Sequence, residues 1–179
     1  MRHLRTLTAF AATASLALAA APSAFASTSG VGNSNGTPTM NVCVAMQNCT
    51  YINFHKGQPS DVVKHTGKLV DWSVNAGSTG GQVRLRILRP VNGGKFKAIR
   101  SSSLRTITNI GLNKFSASIP VKKGDVLALT NDTSGIYMAP APLGNGIHYF
   151  SSTLNNGATG TPDRHASQLH VLLSAHVKF

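Results

Sequence analysis

Period-two alternation of apolar and polar residues, the lack of any convincing 3.6-residue repeat, and turn-forming residues throughout together predict an all-β fold. The expected form is an antiparallel two-sheet β-sandwich, jelly-roll or immunoglobulin/fibronectin-like, of about seven or eight strands. Alternation gives each strand one face to bury, and a facing sheet buries it. The 17 glycines and 8 prolines interrupt the apolar runs at short intervals, as turns between strands require.

The N-terminus comes first and is expected to be removed. A basic start, MRHLR, precedes the apolar run LTAFAATASLALAAA and the small-residue site Ala24, Phe25, Ala26, the order of a secretory signal segment. The run is shorter than the roughly 20 apolar residues that a spanning helix needs. Residues 1–26 are therefore read as a signal peptide, and no later segment is apolar and long enough to anchor the chain. Residues 27–39, STSGVGNSNGTPT, are rich in Gly, Ser and Asn and are expected to be a flexible leader outside the core. Residues 40–179 are expected to form a single β-sandwich domain.

Within that domain NVCVAM and CTYINF read as paired strands joined by a Cys43–Cys49 disulfide, the pairing expected for two cysteines in an oxidising, extracytoplasmic space. KLVDWSV sets Val70, Trp72 and Val74 on one face, and the lone tryptophan is expected in the core rather than at a ligand. VRLRILR, residues 83–89, then alternates apolar residues with arginines. Asn92-Gly93 between it and KFKAIR predicts a two-residue type I′ hairpin, in which Ile87 opposes Ala98 and Arg89 opposes Phe96. That register places Val83, Leu85, Ile87, Phe96 and Ala98 on the core face and Arg84, Arg86 and Lys97, with Lys95 nearby, on a basic outer face. FSASIPV and DVLALT follow as strands around the KKGD turn. Residues 131–165 are expected to be long loops around one or two short strands, and the C-terminal run from Leu169 to Phe179 a well-paired strand.

The stretches GKLVDWSVN, GGQVRLRILRP and IPVKKGDVLAL resemble a pattern in secreted, mostly uncharacterised β-sandwich proteins of actinobacteria and similar high-GC bacteria, over roughly residues 43–131. The resemblance implies a fold and export. It implies no activity and no catalytic residues.

Charge narrows the function classes. Without Arg2 and Arg5 the 17 Lys and Arg become 15, which against five aspartates and no glutamate leaves +10 with neutral histidines. Such a surface favours polyanions, so Arg84, Arg86, Lys95 and Lys97 are candidate contacts to an anionic envelope polymer. No zinc finger, basic helix or aromatic-rich RNA-binding motif suggests specific nucleic-acid recognition.

Catalytic signals are weak. The G-x-S-x-G match Gly32–Gly36 lies in the expected leader, without the strand before and helix after it that a nucleophile elbow needs. Four of the five aspartates occupy turn contexts, which argues against the positioned acid pair of a glycoside hydrolase. No compact histidine spacing suggests a metal, and no cofactor is expected. Tyr137, Asn145, His148 and Tyr149, in the loop-rich region, are candidate ligand contacts in which exposed rings stack on a sugar. The expected function is thus a secreted, non-catalytic binding or envelope-associated module. The alternatives are a small hydrolase assembled from dispersed His, Asp and Ser, or a carbohydrate-binding module using the 131–165 loops.

Overall fold

The computed structural model describes residues 26–43, 48–133 and 135–179. The expected signal peptide, save Ala26, and the turn between the cysteines at 44–47 lie outside the described residues. Those described contain strands and no helix, so the all-β expectation holds. In chain order the first strands are β1 (Thr28–Asn33), β2 (Thr50–His55), β3 (Gln58–Pro59), β4 (Gly67–Ala76) and β5 (Gln82–Val91). There follow β6 (Lys95–Ser101), β7 (Arg105–Thr106), β8 (Gly111–Val121), β9 (Val126–Asn131) and β10 (Met138–Pro140). The last are β11 (Asn145–Phe150), β12 (Thr159–Gly160), β13 (Arg164–Ser167), β14 (Leu169–Val171) and β15 (Leu173–Lys178). These fifteen exceed the seven or eight expected, because the stretch read as a leader supplies β1, the loop-rich stretch supplies β10 to β13, the C-terminal run read as one strand divides into β14 and β15, and β3 and β7 are two-residue additions.

All pairing is antiparallel. A four-stranded sheet has the order β1-β15-β4-β8, and a two-stranded sheet pairs β10 with β14. The large sheet runs β12-β6-β5-β9-β2-β11-β13, with β3 added to β2 and β7 to β5. Its two faces are buried in different clusters. Val83, Leu85, Ile87, Leu127 and Leu129 share a first core with Leu69, Trp72 and Val74 of the four-stranded sheet. On the opposite parity Ile52, Leu88, Phe96, Ala98, Val126, Ala128 and Phe150 form a second core. Every residue of β9 is buried, as a strand covered on both faces requires. Trp72 is fully buried, as expected, and Cys43 is bonded to Cys49.

Three expectations are corrected by this arrangement. Residues 27–39 are not simply a leader outside the core: Thr28–Asn33 pairs with β15 in register from Thr28↔Lys178 to Asn33↔Leu173, and Val31 enters the first core. The small residues that suggested flexibility permit the close approach. A Cβ on Gly32 would lie 2.4 Å from the Leu173 carbonyl oxygen, and the Ser34 hydroxyl lies 2.9 Å from that of Ser174, itself 2.8 Å from that of Ser73.

In β4 the regular alternation breaks. Pairing with β15 passes from Asp71 to Leu69, skipping Val70 as a β-bulge does, so Leu69 rather than Val70 faces the core beside Trp72.

The β5–β6 hairpin closes through three residues, with Val91 opposite Lys95 and Gly93 and Gly94 both at positive φ. The extra residue moves the register by one, so Leu88 opposes Ala98 and Arg89 opposes Lys97. Phe96 and Ala98 therefore belong to the second core, not to the face of Val83, Leu85 and Ile87. The outer face expected for the arginines is occupied. Arg84 donates to both carboxylate oxygens of Asp132, at 2.8 and 3.0 Å, and Arg89 does the same to Asp125 at 2.8 and 3.1 Å. Arg86 is only 3% exposed and donates to the Thr130 hydroxyl at 3.0 Å and to Asn156 at 3.3 Å. Lys95 and Lys97 are exposed, but they stand opposite Val91 and Arg89, not on the face of Arg84 and Arg86.

Candidate functional site

The second core is open at one end, where it forms a cleft of about 760 Å³. Strand β2 carries Phe54 into it because alternation places Thr50, Ile52 and Phe54 on the second-core parity. β6 contributes Phe96, β9 Val126 and β11 His148, while Pro90, Val91 and Pro162 close the sides. The His148 ring stacks on Phe54 at 4.0 Å between ring centres, and Phe96 meets Phe54 edge-on at 6.3 Å. Polar lining is sparse: Gln58, Lys95, Thr161 and His148, with no carboxylate. Burial, and secondarily the neighbouring His165, lowers the His148 pKa, so this imidazole favours its neutral form and an apolar partner.

Phe54 also borders a smaller polar pocket of about 320 Å³ lined by Asn33, Asn53, Ser60, Asp61, Asn145 and His170. Asp61 accepts from Asn53 at 2.8 Å and from the Ser60 hydroxyl at 3.2 Å. Burial nevertheless dominates and pushes its carboxyl from 3.8 up to about 6. Asn53 is structural, since its amide also bonds the main chain of Val171 in both directions, at 2.9 and 2.7 Å.

The loop-region candidates divide. His148 lines the cleft. Asn145 borders the polar pocket and holds His55 Nδ1 at 3.1 Å, so it is a neighbour of the cleft. Tyr149 points the other way, its ring 5.8 Å from Tyr51, and packs against the first core. Tyr137 is 1% exposed, and burial raises its hydroxyl pKa to about 12. The expectation of an exposed stacking ring at Tyr137 is corrected: its segment forms the link into β10, which pairs with β14 beneath the surface. Sequence reading missed Phe54, Phe96, Val126 and Asp61, because they come from four separate segments and each is an ordinary strand or turn residue in its own.

A separate constellation lies on the outward face of the four-stranded sheet. His176 and Asp71 are direct cross-strand partners, with Nδ1 2.6 Å from the carboxylate and both side chains about half exposed, 55% and 47%. They share a shallow depression of about 220 Å³ with Ser73, Lys114 and Ser116. The Ser73 hydroxyl is already bonded to Ser174.

Among the described residues no helix is long and apolar enough to cross a membrane, and no cluster of three or more His, Cys, Asp or Glu is placed to hold a metal. In comparisons with protein-family models, curated proteins and solved structures, nothing matches this chain.

Proposed function

We propose that this protein is an exported binding module whose cleft beside Phe54 takes a small ligand with an apolar body and an anionic end. The carrying observation is the cleft itself: its volume lies in the range of small-molecule sites, and it is mostly apolar with a few polar groups, the composition such sites share. A lysine and a histidine but no carboxylate line it, and the excess of basic residues attracts anions toward it. Export rests on the N-terminal segment and accords with the Cys43–Cys49 bond. The two large sheets that share the first core are read as a β-sandwich with a further apolar layer on the outer face of the larger one.

This reading replaces a polymer-binding arginine face, since Arg84 and Arg86 have partners within the fold; contact with an anionic envelope polymer then falls to exposed cations such as Lys95 and Lys97. The test is a thermal-shift titration with an aromatic carboxylate and its primary amide. The carboxylate raises the melting temperature more than the amide does, and Lys95→Ala removes the difference. Equal shifts for both compounds in the wild type contradict an anionic ligand, and no shift for either contradicts this ligand class.

Acyl hydrolysis is the second reading, favoured by the Asp71–His176 pair, because a carboxylate on imidazole Nδ1 orients the ring as a general base. A fluorophosphonate that labels Ser73 or Ser116 in the wild type but not in His176→Gln would establish it.

A further inference from the structure

Two histidines separated by 16 intervening residues, which no sequence spacing connects, meet across the edge of the large sheet. His148 of β11 and His165 of β13 are direct register partners, and opposed residues in an antiparallel pair project to the same face. Their ring centres lie 6.0 Å apart. With a metal–nitrogen bond of about 2.0 Å, a ring centre sits about 3.2 Å from the ion, so two imidazoles share one ion only within about 6.4 Å. The observed separation satisfies that limit, and closing toward a tetrahedral angle requires an approach of about 1 Å.

We infer that His148 and His165 form a two-imidazole site for a first-row divalent transition metal, bridging β11 to the edge strand β13.

The two rings are suited to this in different ways. His148 is held by its stack on Phe54, so one ligand is positioned in advance. His165 is exposed and can turn to complete the chelate. Both border a depression of about 360 Å³, room for the water molecules that fill the remaining coordination positions. Lys56 lines the same depression, and no carboxylate does, which disfavours hard oxygen-seeking cations such as Ca²⁺ and Mg²⁺. Imidazole donors select Cu²⁺, Ni²⁺ and Zn²⁺, with Cu²⁺ the tightest by the general affinity order. Arg164 faces Tyr149 at the next register position, on the opposite parity to the pair.

The experiment is a calorimetric titration of the tag-free protein with Cu²⁺ and with Zn²⁺ near pH 7.5, repeated near pH 5. The expected result is one site that binds Cu²⁺ more tightly than Zn²⁺ and that weakens at the lower pH, where protons compete with the metal for its nitrogen ligands. His165→Gln weakens Cu²⁺ at least about tenfold, the scale on which even indirect partners of a metal act. His176→Gln leaves it unchanged. The electron paramagnetic resonance spectrum of the Cu²⁺ form shows coupling to two nitrogens in the wild type and fewer in His165→Gln. Because His165 is exposed, this variant keeps its fold, and unchanged circular dichroism confirms that. No binding by the wild type, or binding that His165→Gln leaves intact, overturns the site. Binding lost in His176→Gln instead assigns the metal to the Asp71 pair and equally overturns it.

Discussion

Strands β15 and β5 carry the same alternating signature yet live in different surroundings. In β15, Leu173, Ala175 and Val177 are buried while His176 and Lys178 are exposed, so one face is core and the other water. In β5, Val83, Leu85 and Ile87 face the first core. The alternate residues do not form a wet face: Leu88 enters the second core, Arg86 is buried, and the partly exposed Arg84 is paired with Asp132. Alternation reports that a strand has two unlike faces. It does not report what covers the polar one, and an arginine with a partner in the fold satisfies the pattern as well as a hydrated one.

The sharpest way to break this comparison is to truncate neighbours on opposite faces of β5. Ile87→Ala and Leu88→Ala should each cost about 2–5 kcal/mol, the range for a buried aliphatic side chain, when measured by denaturant unfolding. A strand with one wet face would show one large and one small loss. In β15, His176→Ala should stay within about 1 kcal/mol, since the Asp71 pair it breaks is about half exposed.

Arg86→Ser comes next, with an expected loss of about 1–3 kcal/mol in the same measurement, because it removes the donor to the buried Thr130 hydroxyl, which then keeps only its 2.8 Å bond to the Thr50 hydroxyl, and opens a void. Arg84→Ser should cost about 1 kcal/mol or less, as its pair with Asp132 is partly solvated. Equal and negligible effects would return Arg86 to the surface.

Asp61 gives a pH-dependent test of the large sheet's polar end. Its folded-state pKa is raised from 3.8 to about 6, so between about pH 4 and pH 6 the folded chain holds a proton that the unfolded chain has released. Stability therefore falls as pH rises through that window and levels off above it. The drop is on the order of 3 kcal/mol, and Asp61→Asn should flatten it. Unfolding midpoints of wild type and Asp61→Asn across pH 4 to 7 read this directly, and a wild type that loses no more stability over the window than Asp61→Asn refutes the assignment.

Much of the fold was legible in the sequence, for identifiable reasons. Strand parity placed Trp72 and the C-terminal residues Leu169, Val171, Leu173, Ala175 and Val177 in the core, because a single apolar stripe leaves little choice of face; Phe179, expected on the same face, is 43% exposed. The cysteine pair was legible from the export that the N-terminal segment leads one to expect. What failed turned on single residues. One extra residue in the Asn92-Gly93-Gly94 loop moved Phe96 and Ala98 to the other core, and the bulge at Val70 exchanged it for Leu69. The leader misled because Gly and Ser signal both flexibility and close packing, and only the presence of β15 beside residues 28–33 distinguishes the two. Of the candidate site, His148 was legible as a loop-region ring. Its partners Phe54 and Phe96 were not, since the cleft exists only where β2, β6, β9 and β11 converge.

The most direct test of the binding role is a two-dimensional ¹H–¹⁵N NMR titration of the protein with an aromatic carboxylate, read residue by residue. The cleft reading predicts saturable shifts centred on Phe54, Lys95, Phe96 and His148, with little change at Ser73, Asp71 and His176 on the four-stranded sheet. Shifts that instead centre on the Asp71–His176 face, or that never saturate at any residue, contradict it.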